Sequence, residues 1–259
     1  MPEHQPSSAL HGPEPVDYLG RPLNCAHCTL ATDIDVRCSL RLACREDRYA
    51  RRVARFFEQN PHAAEAALDH PYFEVRALAA LRASVFRLQP LLHDSDPTVR
   101  TAVASRVPQR LLRKLLHDED REVRIRVAQR LSAPQLALLR TDPDYYVRTL
   151  VARRIPQAFL LGMAQDHEVQ VRLEIARRLP NADLSWFMHD EEPALRREVA
   201  QRGPAHVLPQ LATDPSWQVR WEVAARATGA ALDRLCRDSD PEVARRAQER
   251  REDLKGGQS

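Results

Sequence analysis

Four cysteines cluster near the N-terminus: Cys25, Cys28, Cys38 and Cys44, spaced C-x2-C-x9-C-x5-C. A C-x2-C pair lets two thiolates reach one metal centre, because a tight turn aims both sulfurs inward. Four thiolates suit a tetrahedral zinc ion or an iron–sulfur cluster. Zinc sites more often repeat the C-x2-C knuckle in their second half. Here the second pair has five residues between its members, and nine separate the two pairs. That wider set fits a cubane whose irons each take one sulfur. Spacing alone leaves zinc and iron–sulfur both open. A fifth cysteine, Cys236, occupies a column shared with Leu92, Leu116 and Met188 and reads as a packing residue.

No other motif in the chain carries chemistry. The seven glycines form neither G-x-G-x-x-G nor a P-loop, and neither a serine elbow nor H-E-x-x-H occurs. His93 and His117, each followed by an aspartate, read as turn residues rather than an acid–base pair. The expectation is a non-enzyme with no catalytic residues and no small-molecule substrate.

Composition narrows the class further. Of 259 residues, 43% are apolar and only 5% aromatic, so the core must be aliphatic. Charged residues make up 29%, yet the net charge is only +3, which gives no strong case for a nucleic-acid partner. Of the 39 basic residues, only Lys114 and Lys255 are lysines. No run of about 18 apolar residues exists, so no membrane partner is expected. The first residues lack the basic start and apolar stretch of a secretory signal. The expected location is cytoplasmic. In that reducing compartment a cysteine cluster points to metal rather than to disulfides.

The elements that must position the cysteines follow from a repeat of fixed period. Arg76, Arg100, Arg124, Arg148, Arg172, Arg196 and Arg220 form one column and set that period. Arg82, Arg106, Arg130, Arg154, Arg178, Arg202, Arg226 and Arg250 form a second, offset within the same unit. Leucine recurs from Leu88 to Leu232 and aspartate from Asp94 to Asp238 in the same register. So strict a register means a solenoid, each unit covering its neighbour's apolar face. The first half of each unit reads as an α-helix. Asp96, Asp120, Asp144, Ser216 and Asp240 are its N-caps, with Glu168 and Glu192 weaker. Pro108, Pro156, Pro180 and Pro204 end it. The second half has room for only one turn, and its L-x-x-L pair fits a 3₁₀ helix.

In chain order, residues 1–17 read as a flexible arm, and 18–46 as a four-cysteine module too short for a core of its own. Residues 47–251 read as the solenoid, whose first repeat, 47–60, is degenerate and joins the module to the array. Residues 252–259 read as a disordered tail.

The unit V-R-x-x-V-A-x-R-x-P-x3-L-x2-L, preceded by Asp-Pro, resembles the repeat of the leucine-rich repeat variant family. The four-cysteine module resembles the iron–sulfur domain that precedes those repeats in some members. The resemblance covers most of the chain, from position 20 or so to position 250. It implies an all-α right-handed superhelix of alternating α and 3₁₀ helices, and a [4Fe–4S] cluster on Cys25, Cys28, Cys38 and Cys44, with zinc as the alternative. Cluster-bearing members occur in nitrogen-fixing bacteria, and the family brings no established activity. At the C-terminal end Ala244 and Gln248 depart from the pattern, as a capping repeat would.

Three readings of function follow. The first is an interaction scaffold with a protein partner, its cluster structural or sensing oxygen and redox state, with a link to nitrogen fixation. The second is a one-electron carrier. The third is a nucleic-acid-binding solenoid, in which one arginine column lines a basic groove. The two columns point about 240° apart around the helix, so they cannot share a face. An internal ladder of arginine on aspartate is the favoured reading of these columns.

Overall fold

The computed structural model describes residues 12–256, and the chain divides into two compact units, Met1–Ser132 and Ala133–Ser259. Each unit is all-α, and among the described residues the only β pairing is two isolated bridges. The first unit holds the cysteine module and the helices Ala50–Gln59, Phe73–Ala80, Pro97–Ala104 and Arg121–Arg130, each packed on the next. The second stacks Tyr145–Arg154, Val169–Arg178, Pro193–Arg202, Trp217–Ala224 and Pro241–Gly256 in the same way. No helix is long and apolar enough to cross a membrane.

The alternation of α and 3₁₀ helices is as the repeat implies. Segments Ala133–Leu139, Gln157–Met163 and Asn181–Phe187 are 3₁₀, whereas Gln109–Leu112 and Leu208–Leu211 close as single α turns. The leucine column is buried throughout, from Leu88 at 0% exposure to Leu232 at 3%. Asp96, Asp120, Asp144 and Asp240 cap their helices through side-chain oxygens. Ser216 does not: its hydroxyl donates to Gln218 Oε1 instead, because a neighbouring side-chain acceptor lies within its reach.

Both arginine columns are built into the stack. The Nε and Nη2 groups of Arg76, Arg100, Arg148, Arg172, Arg196 and Arg220 donate to both oxygens of the aspartate one layer ahead, at 2.6–3.0 Å. This is the fork-on-carboxylate geometry that favours arginine over lysine. The remaining nitrogen turns inward: Arg100 Nη1 donates to the carbonyl of Asp94, in its own layer, at 2.8 Å. Each aspartate also accepts the amide two residues on, as Asp94 Oδ1 does from Asp96 at 2.9 Å. The second column serves helix ends. Arg106 donates to the carbonyls of Ala80 and Ala83, and Arg226 to those of Ala200 and Gly203, one layer back. A helix leaves its last carbonyls unpaired, and these guanidinium groups satisfy them.

The ladder makes stability depend on acid. The Arg220 guanidinium holds the Asp238 carboxyl below its ordinary value, against the upward push of burial. For Asp94 and Asp166, burial pushes up, but hydrogen bonds from Arg76 and Arg148 and the neighbouring amides outweigh it. A carboxyl depressed on folding contributes stability above its unfolded pKa of about 3.9. That contribution is lost as pH falls through the lower folded value. Thermal melts should therefore be flat from about pH 7 to 5 and drop steeply below about pH 4. A melting temperature that stayed constant down to about pH 3 would refute the carboxylate ladder as a source of stability.

Two boundaries differ from expectation. Residues 12–17, expected in the arm, pack into the module: Leu23 N–H donates to Pro15 O and Arg48 N–H to Val16 O. Residues 252–256, expected in a disordered tail, continue helix Pro241–Gly256 because no proline or glycine stops it sooner. The rest of the arm, residues 1–11, and of the tail, 257–259, lie outside the described residues.

Candidate metal centre

Each cysteine pair has its own local frame. Asn24 accepts the Ala26 amide at 2.9 Å and so caps the 3₁₀ turn Cys25–His27. The turn closes through Cys28 N–H to Cys25 O at 3.2 Å, which places the C-x2-C pair at its two ends. The second pair sits on a miniature hairpin. Ser39 and Ala43 exchange both backbone hydrogen bonds at 2.8 Å. By register, Cys38 and Cys44 are then the next pair opposite one another. A five-residue gap, unusual for a zinc knuckle, thus brings two thiols to one end of a hairpin.

All four cysteines are free of disulfides; Cys25 and Cys38 are exposed, Cys28 and Cys44 partly buried. Burial, then the nearby thiolates of Cys28 and Cys25, pushes the Cys38 thiol up. Burial pushes Cys44 up to about 11, helped by Asp47, Cys28 and Glu46 and opposed by the Glu46 amide. Cys38 thus lies within electrostatic reach of Cys25 and Cys28, and Cys44 within reach of Cys28 and of the acids Asp47 and Glu46. Thiolates that repel are relieved by a cation they share, and metal binding would deprotonate them. Among the described residues no three His, Cys, Asp or Glu side chains converge on a point that would hold one metal ion. A cubane takes each sulfur at a separate corner and needs no such point. The donor set suits iron–sulfur chemistry: four thiols, in two pairs, on one small module.

Beneath the cysteines lies a buried polar network that sequence reasoning did not single out. Arg52 and Asp47 are 2% and 0% exposed and pair at 2.8 Å. Arg52 also donates from Nε to Arg41 O and from Nη2 to Pro13 O, and its own carbonyl accepts the Cys44 amide at 3.3 Å. Asp47 accepts the Tyr49 amide at 2.8 Å, at the start of helix Ala50–Gln59. Asn60, fully buried, donates to the carbonyls of Arg37 and Phe56 and accepts the Arg37 amide.

The junction with the array is a modified rung. Arg52 heads the first arginine column, and the position that should supply its aspartate holds His70 instead. His70 Nδ1 accepts the Tyr72 amide at 3.0 Å, just as an aspartate of the column accepts the amide two residues on. That leaves Nε2–H to donate to Glu46 at 3.2 Å. This bond, against burial and with help from Arg45, pulls the Glu46 carboxyl down to about 2. The one available signal for these residues is departure from the repeat: position 60 is Asn where later layers have Pro, Ser or Thr, and position 70 is His where they have Asp.

Comparison with known proteins bears on these features. Residues 15–66 match the family described as the LRV protein FeS4 cluster, and residues 97–120 match the leucine rich repeat variant. A solved structure of a leucine-rich repeat variant with a repetitive structural motif is 41% identical, with a TM-score of 0.79 over 88% of this chain and 98% of that one. An uncharacterized 27.7 kDa protein of Rhodobacter capsulatus, from the nifB 3' region, is 48% identical over 98 residues. That alignment spans 38% of this chain and 40% of the relative's length.

Proposed function

This chain belongs to the leucine-rich repeat variant family as an iron–sulfur repeat protein, and from that premise we propose a cytoplasmic interaction scaffold that carries a [4Fe–4S] cluster on Cys25, Cys28, Cys38 and Cys44. The cluster is structural or senses oxygen and redox state, and the repeats bind a protein partner. When bound, such a cluster supplies one-electron chemistry. Four cysteine ligands leave no iron open, so the chain is read as a non-enzyme. The observation that carries this reading is the pairing of a four-thiol module with a repeat array whose arginine columns are engaged internally. The members whose bonds are described above, unlike the half-exposed Arg82, are not available to phosphates, which speaks against the nucleic-acid reading. The relative near nifB is the support for a role alongside nitrogen fixation.

Exposure of Cys25 and Cys38 favours a second reading, a one-electron carrier, because electron transfer needs a cluster near the surface. Anaerobic purification with metal analysis and absorption spectra tests both. About four irons per chain and a broad band near roughly 400 nm are expected. Reversible bleaching by dithionite would favour the carrier; resistance to reduction with decay in air would favour the scaffold. A colourless chain with one zinc would refute the iron–sulfur reading.

A further inference from the structure

Asn60 interrupts the repeat in a way that only the cysteine module explains. Its position is occupied by Ser84, Pro108, Ser132, Pro156, Pro180, Pro204 and Thr228 in later layers, at the break that follows each helix. Here the side chain is 0% exposed and both its oxygen and its nitrogen are bonded. Oδ1 accepts the Arg37 amide at 2.7 Å, and Nδ2 donates to the Arg37 carbonyl at 2.7 Å and to Phe56 O at 2.8 Å. A primary amide that engages both backbone groups of one residue acts as a short piece of β-strand. None of the residues in the later layers can do this: proline has no polar side-chain atom, and serine and threonine carry donor and acceptor on one short hydroxyl oxygen that cannot meet both groups as two separate amide atoms do. The residue it grips is the one directly before Cys38. On the other strand of the same hairpin, Cys44 N–H donates to Arg52 O, and Arg52 Nε donates to Arg41 O.

We infer that Asn60 is a positioning residue for the metal centre: it fixes the Cys38 arm of the hairpin to the first helix of the repeat array, while Arg52 fixes the Cys44 arm. The inference rests on the reading of the four cysteines as cluster ligands. Its consequence is that half of the ligand set is held by the repeats, so that movement of helix Ala50–Gln59 and release of iron are coupled. Cys25 and Cys28, on their own 3₁₀ turn, make none of these bonds.

The test is iron loss from the full chain, loaded anaerobically, to a ferrous chelator well below the melting temperature, with hydrogen exchange of residues 37–44 measured in parallel. Asn60→Ser places at this site the residue that two other layers carry there. It should lose iron at least tenfold faster than wild type, with faster exchange across 37–44. Asn60→Asp keeps the acceptor but sets a buried carboxyl oxygen against the Arg37 and Phe56 carbonyls, and should lose iron at least as fast as Asn60→Ser. Val171→Ala, at a buried position of helix Val169–Arg178 in the second unit, should lower the melting temperature yet release iron at the wild-type rate. Wild-type release from Asn60→Ser, or equal acceleration in Val171→Ala, would overturn the inference and leave the cluster reading standing. Wild-type protein that takes up no iron would overturn the cluster reading and the inference together.

Discussion

Arg100→Leu is expected to lower the unfolding free energy by about 3–5 kcal/mol, the range for removing one partner of a buried ion pair. Arg100 and Asp118 have side chains 7% and 6% exposed, joined by two bonds of 2.8 Å. Leucine fills much of the volume but leaves the Asp118 carboxylate with little beyond the Asp120 amide, at 3.0 Å. It also strips the Asp94 carbonyl of its Arg100 donor. The damage comes from an uncompensated charge, not from loss of attraction as such. Adding Asp118→Asn should therefore restore at least half of the loss, because the amide oxygen still accepts from Asp120 and no charge remains. Arg245, 57% exposed and paired with Glu242 and Glu249 on one helix, is the contrasting case. Solvent screens that pair, and Arg245→Leu should unfold like wild type in urea. If Arg100→Leu also unfolded within about 1 kcal/mol of wild type, the column would be ornament rather than support.

How much of this was legible beforehand differs between the array and the module. Columns of one fixed period are a property of the sequence, and stacking in register is the physical cause of such columns. Each layer from Asp94 to Arg220 holds one aspartate and one arginine of the ladder, and periodicity alone does not say which layers pair. The structure assigns the carboxylate to the arginine of the preceding layer and gives the arginine of the same layer only the backbone carbonyl. In the module, four cysteines at metal-binding spacing stood out because cysteine is rare in this chain. Asp47 and Asn60 did not, and Arg52 stood out only by lying one period before Arg76. Each is an ordinary residue in sequence, and Asn60 acquires its meaning only when the fold brings it to Arg37, 23 positions away. A repeat makes such residues findable, since what fails to repeat must answer to something outside the repeat. The end of the last helix was illegible for the opposite reason: polar residues on an exposed helix and in a disordered tail have the same composition.

Cys38→Ser should abolish the cluster, reducing iron from about four per chain to near zero, and should unfold the module while leaving the repeats intact. Among the described residues of the 18–46 segment, Ala43 is the one apolar side chain that is buried. A segment of that length with so little core needs a staple. Hydrogen exchange is the measurement that separates the parts, because protection is local and need not follow global stability. Amides of residues 18–46 should exchange near their unprotected rates in the variant. Those of Pro97–Ala104 and Arg121–Arg130, held by leucine packing and the ladder, should keep wild-type protection. Cys236→Ser, in a buried position of the second unit, should leave iron content unchanged. Full iron in Cys38→Ser would remove Cys38 from the ligand set. Lost iron with a protected 18–46 segment would mean something else: that Asn60, Arg52 and Asp47 suffice to hold the hairpin, and that the cluster is carried for its chemistry and not for the fold.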